Sequence, residues 1–324
     1  MAKDHIVRVG IVGYGGMGKL HADNARKLGL FGIEAIADIL AERRKEAKAE
    51  LGVATYGDYR RMLDLEEIEA VFVTTQPNTH AEISIEAARR GKHIFCEKPF
   101  TPSLVEAKDA LKVIKKRKVV FQLGLVLRYT ECYGLLRRVI SNGELGDIFG
   151  AQARYGGYML SYKPHFDRGH DRGMVNGNTI HMIDMLRFLF GPVKEVWARF
   201  DRGFPKGTEL AGVISFSHLN GVMSDLYASG AMRAGSFLFV NGSDADAVIE
   251  NNTELTKLNK EGSHKLLRAN VGFQEELEAF WRNIVLGEQN LAGQSEALEL
   301  SNLMESIYLA AIKRAAVRVP RATL

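Results

Sequence analysis

Cysteine is nearly absent: Cys96 and Cys132 are the two in 324 residues, they form no CxxC, and neither has a histidine at metal spacing. That excludes a disulfide framework and a cysteine-based zinc site, and it suits a reducing cytosol, so a cytoplasmic protein is expected. No stretch stays apolar for the roughly 18 residues that a membrane span needs. Lys3, Asp4 and His5 lead into a short apolar segment broken by glycines, without the apolar core and small-residue cleavage site of a secretory leader. Neither sign of charge dominates. Lys plus Arg total 43 and Asp plus Glu 39, and the net +4 is spread along the chain, which argues against a nucleic-acid partner. The densest basic run, Lys112 to Lys118, reads as the end of a helix, where cations meet the carbonyl groups favourably. What is present is an ordinary globular composition, 46% hydrophobic and 25% charged. The length accommodates two domains of roughly 150 residues each.

The first half alternates strand and helix. A β-rich run from Ile6 to Val12 ends in Gly13-Tyr14-Gly15-Gly16-Met17-Gly18, followed by a helical stretch from Lys19 to about Leu28. That order is the one a dinucleotide loop requires, with amides at the helix amino end facing a pyrophosphate. The next β-rich run, Gly32 to Ala37, ends in Asp38, twenty positions beyond Gly18, where an acid would accept hydrogen bonds from the adenosine ribose. An aspartate there repels a 2′-phosphate, so NAD is favoured over NADP, a preference softened by Arg43 and Arg44. Asp38 reads equally well as an N-cap of the helix from Leu40 to Leu51. Strands at Ala70–Thr74, His93–Cys96 and Val119–Leu125 alternate with helices at Thr79–Arg90 and Pro102–Lys116, which argues for a parallel, doubly wound sheet. Thr75, Gln76, Pro77 and Asn78 come after one such strand and could line the cofactor crevice. Asn78 or Thr79 could equally cap the next helix, and His80 either packs or contacts the ligand.

Glu97-Lys98-Pro99 comes directly after the strand His93–Cys96. A lysine there sits at the carboxyl edge of the sheet, where α/β folds bind ligands, and the proline restricts the backbone just after it. The second half carries β-rich runs at Ile148–Tyr155, Val193–Phe200, Leu210–Ser217, Gly221–Ala228, Ser236–Asn241 and Ala247–Glu250, with Leu219-Asn220-Gly221 as a hairpin signal. An open sheet is expected. Helices from about Gly272 to Leu286 and Gln294 to Ala316 close the chain, with Ser301, Met304, Tyr308 and Ile312 at packing positions.

In order and spacing, Gly13-x-Gly15-x-x-Gly18, Asp38, Thr75-Gln76-Pro77-Asn78-Thr79-His80 and Cys96-Glu97-Lys98-Pro99 resemble the Gfo/Idh/MocA family of sugar and cyclitol oxidoreductases. The resemblance implies a Rossmann domain over residues 1–126. Residues 127–324 would then form an α+β domain on an open, mostly antiparallel sheet of the glucose-fructose oxidoreductase type, with closing helices able to pack back on the first domain. It implies a cis peptide at Lys98-Pro99, and NAD held by the glycine loop, Asp38, the Thr75 to His80 segment, Glu97 and Lys98. It also implies a homodimer or homotetramer formed through the second sheet. Lys98 would contact the nicotinamide ribose and the reacting hydroxyl. His181 takes the family's histidine position on the substrate helix, and a neutral imidazole suits removal of a hydroxyl proton as hydride leaves the same carbon.

The family's aspartate position, four residues earlier, is Gly177, and Asp171 and Arg172 stand where glycines are usual. Asn178 could hydrogen-bond the substrate without supplying charge. The missing acid could also come from Asp167 or Asp171. Tyr155, Tyr158, Tyr162, Lys163, His165, Arg168 and His170 form a polar, aromatic approach suited to a sugar ring, Arg128 comes after the last Rossmann strand, and no metal is expected. The leading expectation is an NAD-dependent dehydrogenase acting on a secondary hydroxyl of a sugar or cyclitol. Its rivals are a glycosidase-like enzyme using transient oxidation and a non-catalytic NAD or sugar sensor.

Overall fold

The structure, a computed structural model, describes residues 5–158, 173–201 and 208–324. The chain divides into two compact units, Met1–Leu125 with Phe273–Ser301 and Thr323–Leu324, and Val126–Gly272 with Asn302–Ala322.

The first unit is a parallel six-stranded sheet of β1 (Val7–Val12), β2 (Phe31–Ala37), β3 (Ala54–Tyr56), β4 (Ala70–Val73), β5 (His93–Cys96) and β6 (Phe121–Leu123), in the order β3-β2-β1-β4-β5-β6. The crossovers carry α1 (Gly16–Leu28), α2 (Ala41–Leu51), α3 (Tyr59–Leu63), α4 (Pro77–Arg89) and α5 (Leu104–Arg117). All four residues of β4 are buried, as a strand covered on both faces must be. The expected doubly wound sheet is therefore present. β3 and α3 escaped the sequence pattern because each is short and has little or no buried apolar surface. Helix α5 begins at Leu104 rather than Pro102, since Ser103 supplies the cap by accepting the Glu106 N–H at 3.3 Å.

The second unit contributes α6 (Glu131–Ser141), β7 (Ile148–Gly156), α7 (Ile180–Phe190), β8 (Val193–Phe200), β9 (Ala211–His218), β10 (Met223–Ser229), β11 (Phe237–Gly242), β12 (Asp246–Glu250), β13 (Glu254–Asn259), β14 (Gly262–Arg268) and β15 (Val317–Arg318). Their order is β14-β13-β12-β11-β7-β10-β9-β8-β15, antiparallel except where β10 meets β7. This is the expected open, mostly antiparallel sheet. One face buries Val196, Ala198, Ile214, Leu226, Leu238 and Ile249. The register lines up Trp197, Ser215, Asp225, Gln152, Phe239 and Val248 across the other. The hairpin of β13 and β14 was not expected, because β14 is almost wholly exposed and shows no apolar alternation. His264, Lys265 and Arg268 give it the charged character of a protected edge.

Helix α8 (Phe273–Leu286) returns to the first unit, and α9 (Gln294–Lys313) runs across the division. Phe280 of α8 stacks on Phe31 at 6.4 Å and packs edge-on against Phe72 and Phe95, completing that unit's aromatic core. Burying each such ring contributes roughly 1.5–3 kcal/mol. On α9, Met304 and Tyr308 are buried as expected, whereas Ile312 is exposed.

Candidate active site

Helix α1 opens without a side-chain cap and without an acidic residue in its first turn. Its first N–H groups lack partners of the kind that Asp58 supplies to α3 and Ser103 to α5, which suits an anion. The loop beneath it is held tightly. Gly13 donates its N–H to the Ala37 carbonyl at 2.7 Å, and its own carbonyl accepts the Thr74 hydroxyl at 2.6 Å. A Cβ on Gly18 would stand 2.1 Å from that carbonyl, so only glycine lets helix and loop approach this closely. Gly15 is the N-cap residue, and Gly16 and Met17 are the first two residues of the helix.

Asp38 is 6% exposed at the end of β2. Its carboxylate accepts the Tyr14 N–H at 2.7 Å and the Leu40 N–H at 2.9 Å, so it ties the glycine loop to the turn before α2. Arg43 reaches to 3.6 Å from the same carboxylate, and Arg44 donates to the Asp38 carbonyl. These residues fit a dinucleotide: open amides for the pyrophosphate, an oriented acid for the ribose, and two arginines beside it.

After β4, Gln76 is the N-cap of α4, with Pro77 and Asn78 in its first turn. The Thr75 and Thr79 hydroxyls pair at 2.7 Å. His80 is buried, with Nδ1 2.9 Å from the Pro99 carbonyl and Nε2 3.0 Å from that of Thr75. Its ring joins two loops, a structural duty that the sequence left open.

Lys98 is half-buried, and its peptide bond to Pro99 is cis. Glu97 faces into the unit at 6% exposure, its Oε2 accepting the Lys98 N–H at 3.1 Å and its Oε1 lying 2.7 Å from His21 Nε2. Behind this pair is Glu276 of α8, fully buried, both carboxyl oxygens without a hydrogen-bond partner among the described residues. Burial and then the Glu97 charge push its pKa well above the usual carboxylate range, so it is a neutral acid near pH 7. Sequence reasoning missed both His21 and Glu276. The signal existed: His21 lies among Gly18, Ala22 and Ala25 on the buried stripe of α1, and Glu276 adjoins Leu277 and precedes Phe280 by one turn.

In the second unit a π-turn, Val175–Thr179, leads into α7. Asn176 and Gly177 are buried, while Asn178 and His181 are half-buried. The Asn178 carboxamide oxygen has no hydrogen-bond partner among the described residues, which leaves an acceptor available. The His181 ring lies 6.4 Å from that of Tyr155, whose hydroxyl pKa is pushed up to about 12 by burial. Tyr158 is exposed, with the Arg233 guanidinium 4.2 Å over its ring. Arg128 takes a different place from the one expected. It is buried and grips Asp184 in two bonds of 2.7 and 2.6 Å, so it fixes α7 from within. Burial pushes the Asp184 carboxyl up, but the Arg128 charge and hydrogen bonds, helped by Arg187 and His181, hold it below the usual range. Tyr162, Lys163, His165, Asp167, Arg168, His170, Asp171 and Arg172 lie outside the described residues.

Comparison with known proteins agrees with this arrangement. Residues 7–125 match the model of an oxidoreductase family with an NAD-binding Rossmann fold. Residues 133–248 match the GFO/IDH/MocA C-terminal domain. A myo-inositol 2-dehydrogenase of Thermotoga maritima is 30% identical over 208 residues, 59% of this chain and 58% of that protein. A scyllo-inositol 2-dehydrogenase (NAD+) of Bacillus subtilis is 32% identical over 192 residues, 58% of this chain and 55% of that protein. The chain thus spans under two thirds of these relatives' length. A solved levoglucosan dehydrogenase in complex with NADH and levoglucosan has the same fold, with a TM-score of 0.90 over 98% of this chain and 100% of that one at 22% identity. Two domain models matched in order, together covering most of the residues, show that the chain belongs to the Gfo/Idh/MocA oxidoreductase family, whose first domain is an NAD-binding Rossmann fold.

Proposed function

We propose that this protein is an NAD-dependent dehydrogenase that oxidises a secondary hydroxyl of a cyclitol or a cyclic sugar derivative, or reduces the matching ketone. The observation that carries the reading is Lys98: an ammonium at the carboxyl end of β5, its peptide N–H clamped by Glu97, in a unit whose uncapped α1 and Asp38 suit NAD. The inositol and levoglucosan dehydrogenases among its relatives point to the substrate class.

When bound, NAD accepts the hydride. Lys98 lowers the cost of negative charge developing on the substrate oxygen, and His181 takes the hydroxyl proton. Asn178 offers a neutral acceptor to a neighbouring hydroxyl, and Gly177 supplies no charge. NAD is preferred to NADP because the Asp38 carboxylate repels a 2′-phosphate. The exposed face of the second sheet, with Trp197, Val213, Met223 and Tyr227, pairs with a second copy of the chain. The two cysteines are free and buried, in keeping with a cytoplasmic setting.

The test is a panel of myo-inositol, scyllo-inositol and levoglucosan with NAD+, monitored by NADH absorbance. Turnover that Lys98→Met abolishes, with NAD+ binding retained, supports the reading. Binding of NAD+ and polyol without turnover across the panel overturns it in favour of a sensor, the alternative that Gly177 favours. Release of a glycosidic leaving group without net NADH assigns the glycosidase-like reaction instead.

A further inference from the structure

We infer that Glu209 is a positioning residue, a buried carboxyl that anchors the turn from which Asn178 and His181 are presented. Its kinetic consequence rests on the dehydrogenase reading; its structural consequence does not.

Glu209 is fully buried just before β9. Its Oε1 accepts the Val175 N–H at 2.9 Å and the Tyr308 hydroxyl of α9 at 2.8 Å. Met174, which opens the turn, provides no side-chain cap, so a carboxyl 34 residues away in sequence supplies the acceptor that a helix start needs. Gly173 makes the approach feasible. At its φ of +128° any side chain is strained, and a Cβ there would stand 2.2 Å from both Glu209 carboxyl oxygens. This glycine therefore opens the passage through which Glu209 reaches the helix.

The segment that Glu209 anchors has an uncommon shape. A π-turn is rare and persists only where its surroundings hold it. Here Glu209 holds the entry, and the Thr179 hydroxyl bonds the Met174 sulfur at 3.1 Å. One extra residue in a turn rotates the residues on its amino side by about 100° relative to those on its carboxyl side. Whether the turn is π or α therefore decides the direction in which Asn178 points relative to His181. Gly177, mid-turn, has no side chain with which to hold that geometry, so the anchor lies at the entry.

Two titratable groups face Glu209, the Tyr308 hydroxyl and Asp201 at the end of β8. Burial pushes the Glu209 carboxyl up to about 7; its backbone, Val175 and Tyr308 hydrogen bonds pull it down, and the Asp201 charge raises it. The anchor thus changes charge near neutrality.

Two variants separate the parts. Glu209→Gln keeps a carbonyl for Val175 and Tyr308 but does not ionise, while Glu209→Ala removes the acceptor. Amide hydrogen exchange near neutral pH needs no substrate. Exchange over Val175 to His181 should speed up about tenfold or more in Glu209→Ala, the loss of one buried hydrogen bond, and stay near wild type in Glu209→Gln. With the polyol that the wild type oxidises, Glu209→Ala should raise the polyol KM about tenfold while the NAD+ KM holds. Glu209→Gln should remove one inflection near neutral pH from kcat/KM, a change that mere loss of packing does not produce. Unchanged exchange in Glu209→Ala, or a Glu209→Gln pH profile that superimposes on wild type, overturns the inference. If Glu209→Ala does not fold, the Glu209→Gln profile decides. If the wild type turns over no polyol, the dehydrogenase reading fails, and exchange in the variants still decides the anchor.

Discussion

The starts of α1 and of the π-turn leading into α7 are the same physical object used in opposite ways. In the first unit the helix end is open: glycines bring backbone amides to the surface, no side chain caps them, and Asp38 waits beside them. In the second the entry is closed by Glu209, and what faces outward is a pair of side chains, Asn178 and His181. An open helix end binds an anion; a closed one positions its neighbours. The units also treat buried acids differently. Asp184 has the Arg128 guanidinium and stays ionised, whereas Glu276 has no hydrogen-bond partner among the described residues and stays protonated.

The largest effect should come from the pair assigned to chemistry. Lys98→Met is expected to lower kcat by on the order of 10³-fold or more and His181→Ala by about 10²-fold, each with NAD+ affinity within about threefold of wild type. Steady-state kinetics with calorimetric NAD+ titration checks both, and a loss under tenfold for Lys98→Met would break the assignment. Arg128→Met should cost about 3–5 kcal/mol in denaturant unfolding, because it strands Asp184 as a buried charge. Arg128→Met combined with Asp184→Leu should recover most of that loss; no recovery would mean that Arg128 acts through packing alone.

Glu209 sets a pH test. Its folded pKa, about 7, lies above the usual carboxylate value, so the folded state binds its proton more tightly. The stability it contributes is fully present below about pH 4.5 and is lost as pH rises through about 7. Relative to wild type, Glu209→Gln should therefore gain up to about 3 kcal/mol at pH 8 and little at pH 4.5, as measured by thermal unfolding. A gain at low pH instead would reverse the account. The smallest effect belongs to the open helix end: Asp38→Ala should weaken NAD+ binding about tenfold and narrow the gap to NADP+, since a carboxylate hydrogen bond and a repulsion vanish together. An unchanged ratio of the two affinities would show that Arg43 and Arg44 set the preference.

The first unit was largely legible because its chemistry is local. Gly13 to Gly18, Asp38 and Glu97-Lys98-Pro99 are short segments beside strands whose continuous apolar runs mark them as buried. The second unit was legible as a sheet, from the alternation of β8 to β12, but not at its edge, where β14 is polar on both faces. Its site was legible only in part. Arg128 reads from sequence as a cation near a junction, and only the fold sets it against Asp184, 56 residues away.

By itself the sequence determined the fold class, the dinucleotide loop and the family, because each depends on residue types at short, fixed spacings. Tertiary structure alone decided the fate of the buried polar groups. His21 and Glu97, Arg128 and Asp184, Glu209 and Val175, and Glu209 and Tyr308 are pairs separated by 34 to 99 residues. A buried donor or acceptor is settled by whatever the fold brings within about 3 Å of it, which no local pattern encodes.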